Sequence, residues 1–96
     1  MENEDTNYTL EFSDDALSDI SALKKAEKPA YKKLVKLLEE LRTHPYTGTG
    51  HPKPLGANRV GQWSRKITDK HRLVYLIEDE QIIVLILSAY GHYDDK

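Results

Sequence analysis

Residues 72–90 read RLVYLIEDEQIIVLILSAY. Two runs rich in β-branched and aromatic residues, 72–77 and 82–90, flank the polar link Glu78-Asp79-Glu80-Gln81, which is short enough to make them a hairpin. In the first run Arg72, Val74 and Leu76 share one face and Leu73, Tyr75 and Ile77 the other. The second run is apolar on both faces, which predicts a central strand rather than an edge. Upstream, residues 60–67 give a third strand containing Trp63, with Trp63, Arg65 and Ile67 on one face and Ser64 and Lys66 on the other.

Further outward the pattern changes period. Leucine-rich residues 31–41 place Tyr31, Leu34, Val35, Leu38 and Leu41 at helical spacing, with Pro29 suited to the first turn and His44-Pro45 near the end. Before it, Ser13 is a candidate N-cap, Asp14 and Asp15 suit a positive first turn, and Ala16, Leu17, Ile20 and Leu23 form a stripe. Tyr8, Leu10 and Phe12 alternate with polar residues as a short strand. The expectation is an α+β fold of order β-α-α-β-β-β, one antiparallel sheet packed on a two-helix hairpin. Residues 1–7 read as a disordered acidic tail, 8–93 as a single domain and 94–96 as a C-terminal tail.

The chain has 96 residues, 31% of them charged, and no cysteine. That excludes a disulfide framework and thiolate metal sites. No apolar run spans a bilayer and the acidic start is no signal peptide, so a cytoplasmic location without membrane contact is expected. Four histidines, at 44, 51, 71 and 92, match no zinc spacing, and neither a phosphate loop nor a nucleophile motif is present, so no metal and no cofactor is expected. The net charge of −2 hides an asymmetry: residues 1–27 carry −6, residues 28–76 carry +8 and residues 77–96 carry −4. A basic middle points to a polyanion. Lys28, Lys32, Lys33 and Lys36 suit a solvated helix face equally well. The second cluster, Lys53, Arg59, Arg65, Lys66, Lys70 and Arg72, lies outside the helices and has only Asp69 to balance it. Arg65 and Arg72, side by side if the register allows, make a phosphate fork; surface carboxylates are the alternative partners. His92, after Gly91 and before Tyr93, is the residue type most used for acid–base work.

Three segments carry a resemblance: HPYTGTGHPKPLG (44–56), GQWSRKITDKHRLVYLI (61–77) and the terminal YGHY (90–93). Together they resemble the Txe/YoeB-type toxins of the RelE superfamily over nearly the whole chain, 8–93. The resemblance implies a ribosome-dependent, metal-independent mRNA interferase, an endoribonuclease acting on mRNA in the ribosomal A site against ribosomal RNA. It implies a YefM-like antitoxin whose disordered segment folds on binding, and leaves a homodimer open. The reaction is attack of a 2′-hydroxyl on the adjacent phosphate. By family position Arg72 stabilises the phosphate, His92 and Tyr93 act as acid and orienting group, and Arg65 and Lys66 contact phosphate. Trp63, the only tryptophan, either faces the RNA or packs in the core. The sequence departs from the family at Lys53, where a glutamate serves as the family's general base, and at Gly56, where a basic residue stands. Lys53 then acts as a base with a lowered pKa, resembling RelE itself; or His92 takes the proton while Lys53 stabilises charge; or the chain is a catalytically weakened module that binds antitoxin and serves as co-repressor. A gyrase-poisoning relative is disfavoured by the retained His92-Tyr93 end.

Overall fold

Ser13 turns the first strand into the first helix. Its Oγ accepts from the Ala16 N–H at 3.0 Å as the N-cap, and also donates to the Leu87 carbonyl at 3.0 Å. Its own N–H donates to the Ile86 carbonyl, so cap and sheet are fastened at one residue. In the computed structural model, which describes residues 7–56, 59–81 and 83–91, β1 is Thr9–Phe12 and α1 is Asp14–Ala26. Helix α2 is Lys28–Leu41, and the strands that follow are β2 Lys53–Pro54, β3 Gln62–Lys66, β4 Arg72–Glu78 and β5 Ile83–Ser88. Glu27 is the whole joint between the helices: its N–H closes α1 on Leu23 and its carbonyl opens α2 on Tyr31.

Among the described residues the sheet runs β1-β5-β4-β3-β2. The α+β hairpin-on-sheet architecture is as expected, with two differences. The sheet is mixed, because β1 pairs parallel with β5 while every other pairing is antiparallel. Side-chain alternation reports which face a residue takes, not the direction of the neighbouring strand. The proline-rich loop also contributes a strand, the two-residue β2, against β3. Pro54 sits there because β2 is an edge strand.

The helices cover one face. Ala30, Leu34, Leu37 and Leu41 of α2 are buried with Leu73 and Tyr75 of β4 and Val84 and Ile86 of β5. At full burial each of those leucines contributes about 1.5–3 kcal/mol. The α2 stripe is rotated from the expected one: Leu37 is core and Val35 is exposed. In α1, Ala16 and Leu23 are core and Leu17 is exposed. Helix α2 also stops at Leu41, before His44-Pro45, because the carbonyls of Glu39 and Glu40 are taken by the N–H groups of Arg42, Thr43 and His44 in a closing turn. Among the described residues no helix covers the opposite face of β2, β3 and β4.

Candidate functional site

The pairing register fixes what that uncovered face carries. Lys66 sits directly across from Arg72, Ser64 across from Val74, and Lys53 across from Ser64. Residues opposite one another in a ladder share a face. Lys53, Lys66 and Arg72, from three consecutive strands, therefore converge, and with Gly50, His51 and Ser64 they line an open cavity of about 140 Å³. An open cavity of this size admits an anionic group flanked by water. Two larger hollows, of about 500 Å³ between β1 and α2 and about 460 Å³ beside Pro29, do not gather such a set of cations.

The turn between β3 and β4 brings Lys66 and Arg72 together, since the Ile67 N–H donates to the His71 carbonyl at 3.0 Å. The Arg72 Nη1 donates to the Thr68 carbonyl at 3.1 Å, which steadies a guanidinium carrying five N–H groups in all. Lys66 Nζ lies 2.8 Å from the Asp69 carboxylate. The Lys66 hydrogen bond and charge hold that carboxyl below its ordinary range, and the Arg72 charge adds to this. Asp69 is exposed, so the contact is screened and contributes little, and it leaves the lysine open to another anion entering the cavity.

Gly91 is clamped to the same place. Gly91 donates its N–H to His71 Nδ1 at 2.8 Å and accepts from the Arg72 N–H at 2.9 Å. A backbone N–H can only donate, so Nδ1 is the acceptor and the His71 proton lies on Nε2, facing Glu27 Oε2 at 3.1 Å. Tyr90 lies against the buried imidazole, with ring centres 4.4 Å apart. Gly91 has φ +74°, a left-handed turn that favours glycine. His92 and Tyr93 follow that turn directly but lie outside the described residues, as do the tail residues 94–96 and all of 1–7 except Asn7.

Arg65 requires a correction. The register pairs it with Leu73, not Arg72, and puts the two arginines on opposite faces of the sheet. Arg65 is fully buried on the helix side. Nε donates to Tyr75 Oη, Nη1 to Glu40 Oε1 and the Thr49 carbonyl, and Nη2 to the carbonyls of His44 and Thr47. All five N–H groups are thereby engaged inside the protein. Burial raises the Glu40 pKa, but the Thr49 hydrogen bonds and then Arg65 outweigh it and leave the carboxyl below its usual range. Burial likewise pushes Tyr75 up, against the opposing effect of Arg65. Trp63 shares that face: it is half-buried, packs against the core and meets Tyr46 edge-on at 5.2 Å. Both residues act on the cavity from behind, by fixing residues 44–49 and the strand that carries Ser64 and Lys66.

Two polar lining residues, His51 and Ser64, carry no site signal of their own in the sequence. Ser64 was legible from alternation once its strand partner is known. His51 stands two residues before Lys53 in the loop, and its only sequence signal is that proximity.

A model of the "YoeB-like toxin of bacterial type II toxin-antitoxin system" matches residues 12–93. Toxin YoeB of Escherichia coli (strain K12) is 37% identical over 84 residues, covering 88% of this chain and 98% of that protein. The YoeB dimer from Staphylococcus aureus superposes with a TM-score of 0.79 at 33% identity, covering 91% of this chain and 99% of that one. The YoeB–YefM complex from the same organism gives 0.77 at 33% identity, covering 90% and 98%.

Proposed function

The chain belongs to the YoeB-like toxins of bacterial type II toxin–antitoxin systems, and from that premise we propose that it cleaves mRNA on the ribosome. The single observation that carries this is the meeting of Lys53, Lys66 and Arg72 around one cavity on the uncovered sheet face, with Gly91 fastened beside Arg72. Attack of a 2′-hydroxyl on phosphorus builds negative charge on the non-bridging oxygens. Fixed cations whose positions are set before substrate arrives stabilise that charge without reorganisation. Arg72 takes the phosphorane, with Lys66 and Lys53 beside it. His92 donates to the leaving 5′-oxygen and Tyr93 orients the nucleotide, roles carried over from the family motif. Arg65 and Trp63 support the site and do not touch RNA. The chain works in the cytoplasm, where ribosomes and mRNA are. Its antitoxin is of the YefM type, as in the Staphylococcus aureus complex, and the dimer from that organism makes a homodimer a partner to test for.

In vitro cleavage of programmed mRNA on ribosomes tests this. Arg72→Ala should slow single-turnover cleavage about 100- to 1,000-fold, the loss typical of one removed oxyanion contact, and His92→Gln should also slow it. Uncut mRNA with the wild-type chain refutes the proposal.

Lys53 supports a second reading, in which the chain binds antitoxin and represses its operon without cutting. Induction of the gene alone separates the two: growth arrest with cut mRNA supports the nuclease, and growth with intact mRNA the binding module.

A further inference from the structure

We infer that His51 is the general base that takes the proton from the attacking 2′-hydroxyl; this rests on the nuclease reading above. Among the described residues that line the cavity, Lys53, Lys66 and Arg72 are cations and Ser64 is a buried hydroxyl. None of them accepts a proton readily near neutral pH. An imidazole does. Lys53 is exposed and so lacks the burial that disfavours a lysine's charged form. His51 lines the same cavity two residues from Lys53.

The backbone holds His51 in place. The Gly50 carbonyl accepts from the Lys66 N–H at 2.7 Å, which pins the loop to the strand position facing Arg72. Gly50 has φ +89°, and a Cβ there would come within 2.9 Å of the Lys66 carbonyl oxygen, so the approach is as close as the chain allows. Pro52 follows with a locked φ. Between them His51 itself has φ +54°, among the described residues the one positive φ outside glycine. A non-glycine residue kept in that region by its surroundings is a mark of functional positions. The exposed ring leaves room for a ribose edge to approach while the phosphate sits against the three cations.

The step balances as follows. A ring nitrogen of His51 takes the 2′ proton as the O2′ lone pair forms the bond to phosphorus. The P–O5′ bond breaks with its electron pair on O5′, which takes a proton from the acid at the chain's end. The products are a 2′,3′-cyclic phosphate and a 5′-hydroxyl. Lys53, in this scheme, holds charge and moves no proton.

The test is single-turnover cleavage of programmed mRNA on ribosomes by the full chain, comparing wild type with His51→Ala, Lys53→Ala, Lys53→Glu and the double variant His51→Ala with Lys53→Glu. Loss of a general base costs about 100-fold or more. His51→Ala should lose that much in rate with its half-saturating ribosome concentration and thermal melt unchanged. Added imidazole should restore part of the rate, and the Lys53→Glu change should rescue it by supplying a carboxylate base. His51→Ala cleaving within threefold of wild type overturns the inference, as does a rate loss that neither imidazole nor the glutamate repairs. Substrate with a 2′-deoxy nucleotide at the cut site separates the two claims. If wild type cuts neither substrate, the nuclease reading falls; if it cuts the 2′-deoxy substrate as well, attack by the 2′-hydroxyl falls and the base assignment with it; if wild type needs the 2′-hydroxyl and His51→Ala does not suffer, only the assignment of the base falls.

Discussion

Replacing Arg65 by methionine removes five donors at once and isolates their acceptors. Three backbone carbonyls, of His44, Thr47 and Thr49, lose a buried partner, the Tyr75 hydroxyl keeps only its bond to the Pro45 carbonyl, and the Glu40 carboxylate keeps only Thr49. Breaking one side of a buried ion pair typically costs about 3–5 kcal/mol. Glu40 retains 27% of its side-chain exposure and can recruit water, which favours the lower half of that range. A domain of this size holds on the order of 5–14 kcal/mol in total. The variant should therefore lose a large part of its stability, about 3–4 kcal/mol, and melt roughly 12–32 °C lower, taking about 4–8 °C per kcal/mol.

Denaturant unfolding followed by the single tryptophan, whose ring rests on Tyr46 at the edge of the same loop, reads this directly. Arg65→Lys keeps the charge but not the fork, and should recover less than half of the loss, because one ammonium cannot reach acceptors fanned over the positions of His44, Thr47, Thr49 and Glu40. A double-mutant cycle with Glu40→Gln should show strong coupling. The reasoning fails if Arg65→Met costs under about 1 kcal/mol. It fails more informatively if that variant melts like wild type yet no longer cleaves mRNA, since Arg65 would then act on substrate and not on the fold.

Other outcomes follow from the same coordinates. Burial, and then hydrogen bonding and charge from Asp79, push the Tyr46 phenol up to about 12 from 10.0. The unfolded phenol ionises first as pH rises, so this contribution is complete below pH 10 and lost as pH climbs through about 12; Tyr46→Phe should flatten that alkaline loss in denaturant titrations. Trp63→Ala should cost about 2–3 kcal/mol, below the 3–5 of a fully buried aromatic because the ring is half-exposed, and should slow cleavage only as far as it unfolds the protein. His71→Asn keeps an acceptor near the Nδ1 position for Gly91, whereas His71→Gln reaches towards Glu27 instead. Near-normal cleavage and a protected Gly91 amide are expected in the first, and both lost in the second; equal behaviour of the two variants would show that the Gly91 clamp does not position the chain's end.

Where the structure departs from the sequence reading, it does so at quantities that periodicity does not encode. Ser13 as a cap, Pro29 in a first turn and the hairpin joining β4 to β5 are local features, set by a few adjacent residues, and each is where the pattern puts it. The α2 stripe is different. Leu34, Val35, Leu37 and Leu38 are all apolar, and the tertiary choice of Leu37 over Val35 depends on how the helix rolls on β4 and β5. The parallel pairing of β1 with β5 is a relation between residues more than seventy positions apart, invisible to alternation within either strand.

The arginines show the same limit at the site itself. Alternation placed Arg65 opposite Lys66 and Arg72 opposite Leu73, correctly in both strands, but which face of β3 matches which face of β4 depends on a single integer, the register. Shifting the pairing by one residue would exchange the roles of Arg65 and Lys66. The chain settles that integer through burial: Arg65 is tolerated on the helix side because the turn after α2 offers three backbone carbonyls and Glu40 to receive it, whereas Lys66 in that place would bury an ammonium with three donors against the same acceptors. The proline- and glycine-rich loop thus has two sides to its chemistry. Its first half satisfies a buried guanidinium, and its second half, from Gly50 to Lys53, borders the cavity on the other face. Arg65, which ties down the loop, and Lys66, which lines the cavity, are adjacent residues of one strand, so the position of Lys66 is only as firm as the burial of Arg65.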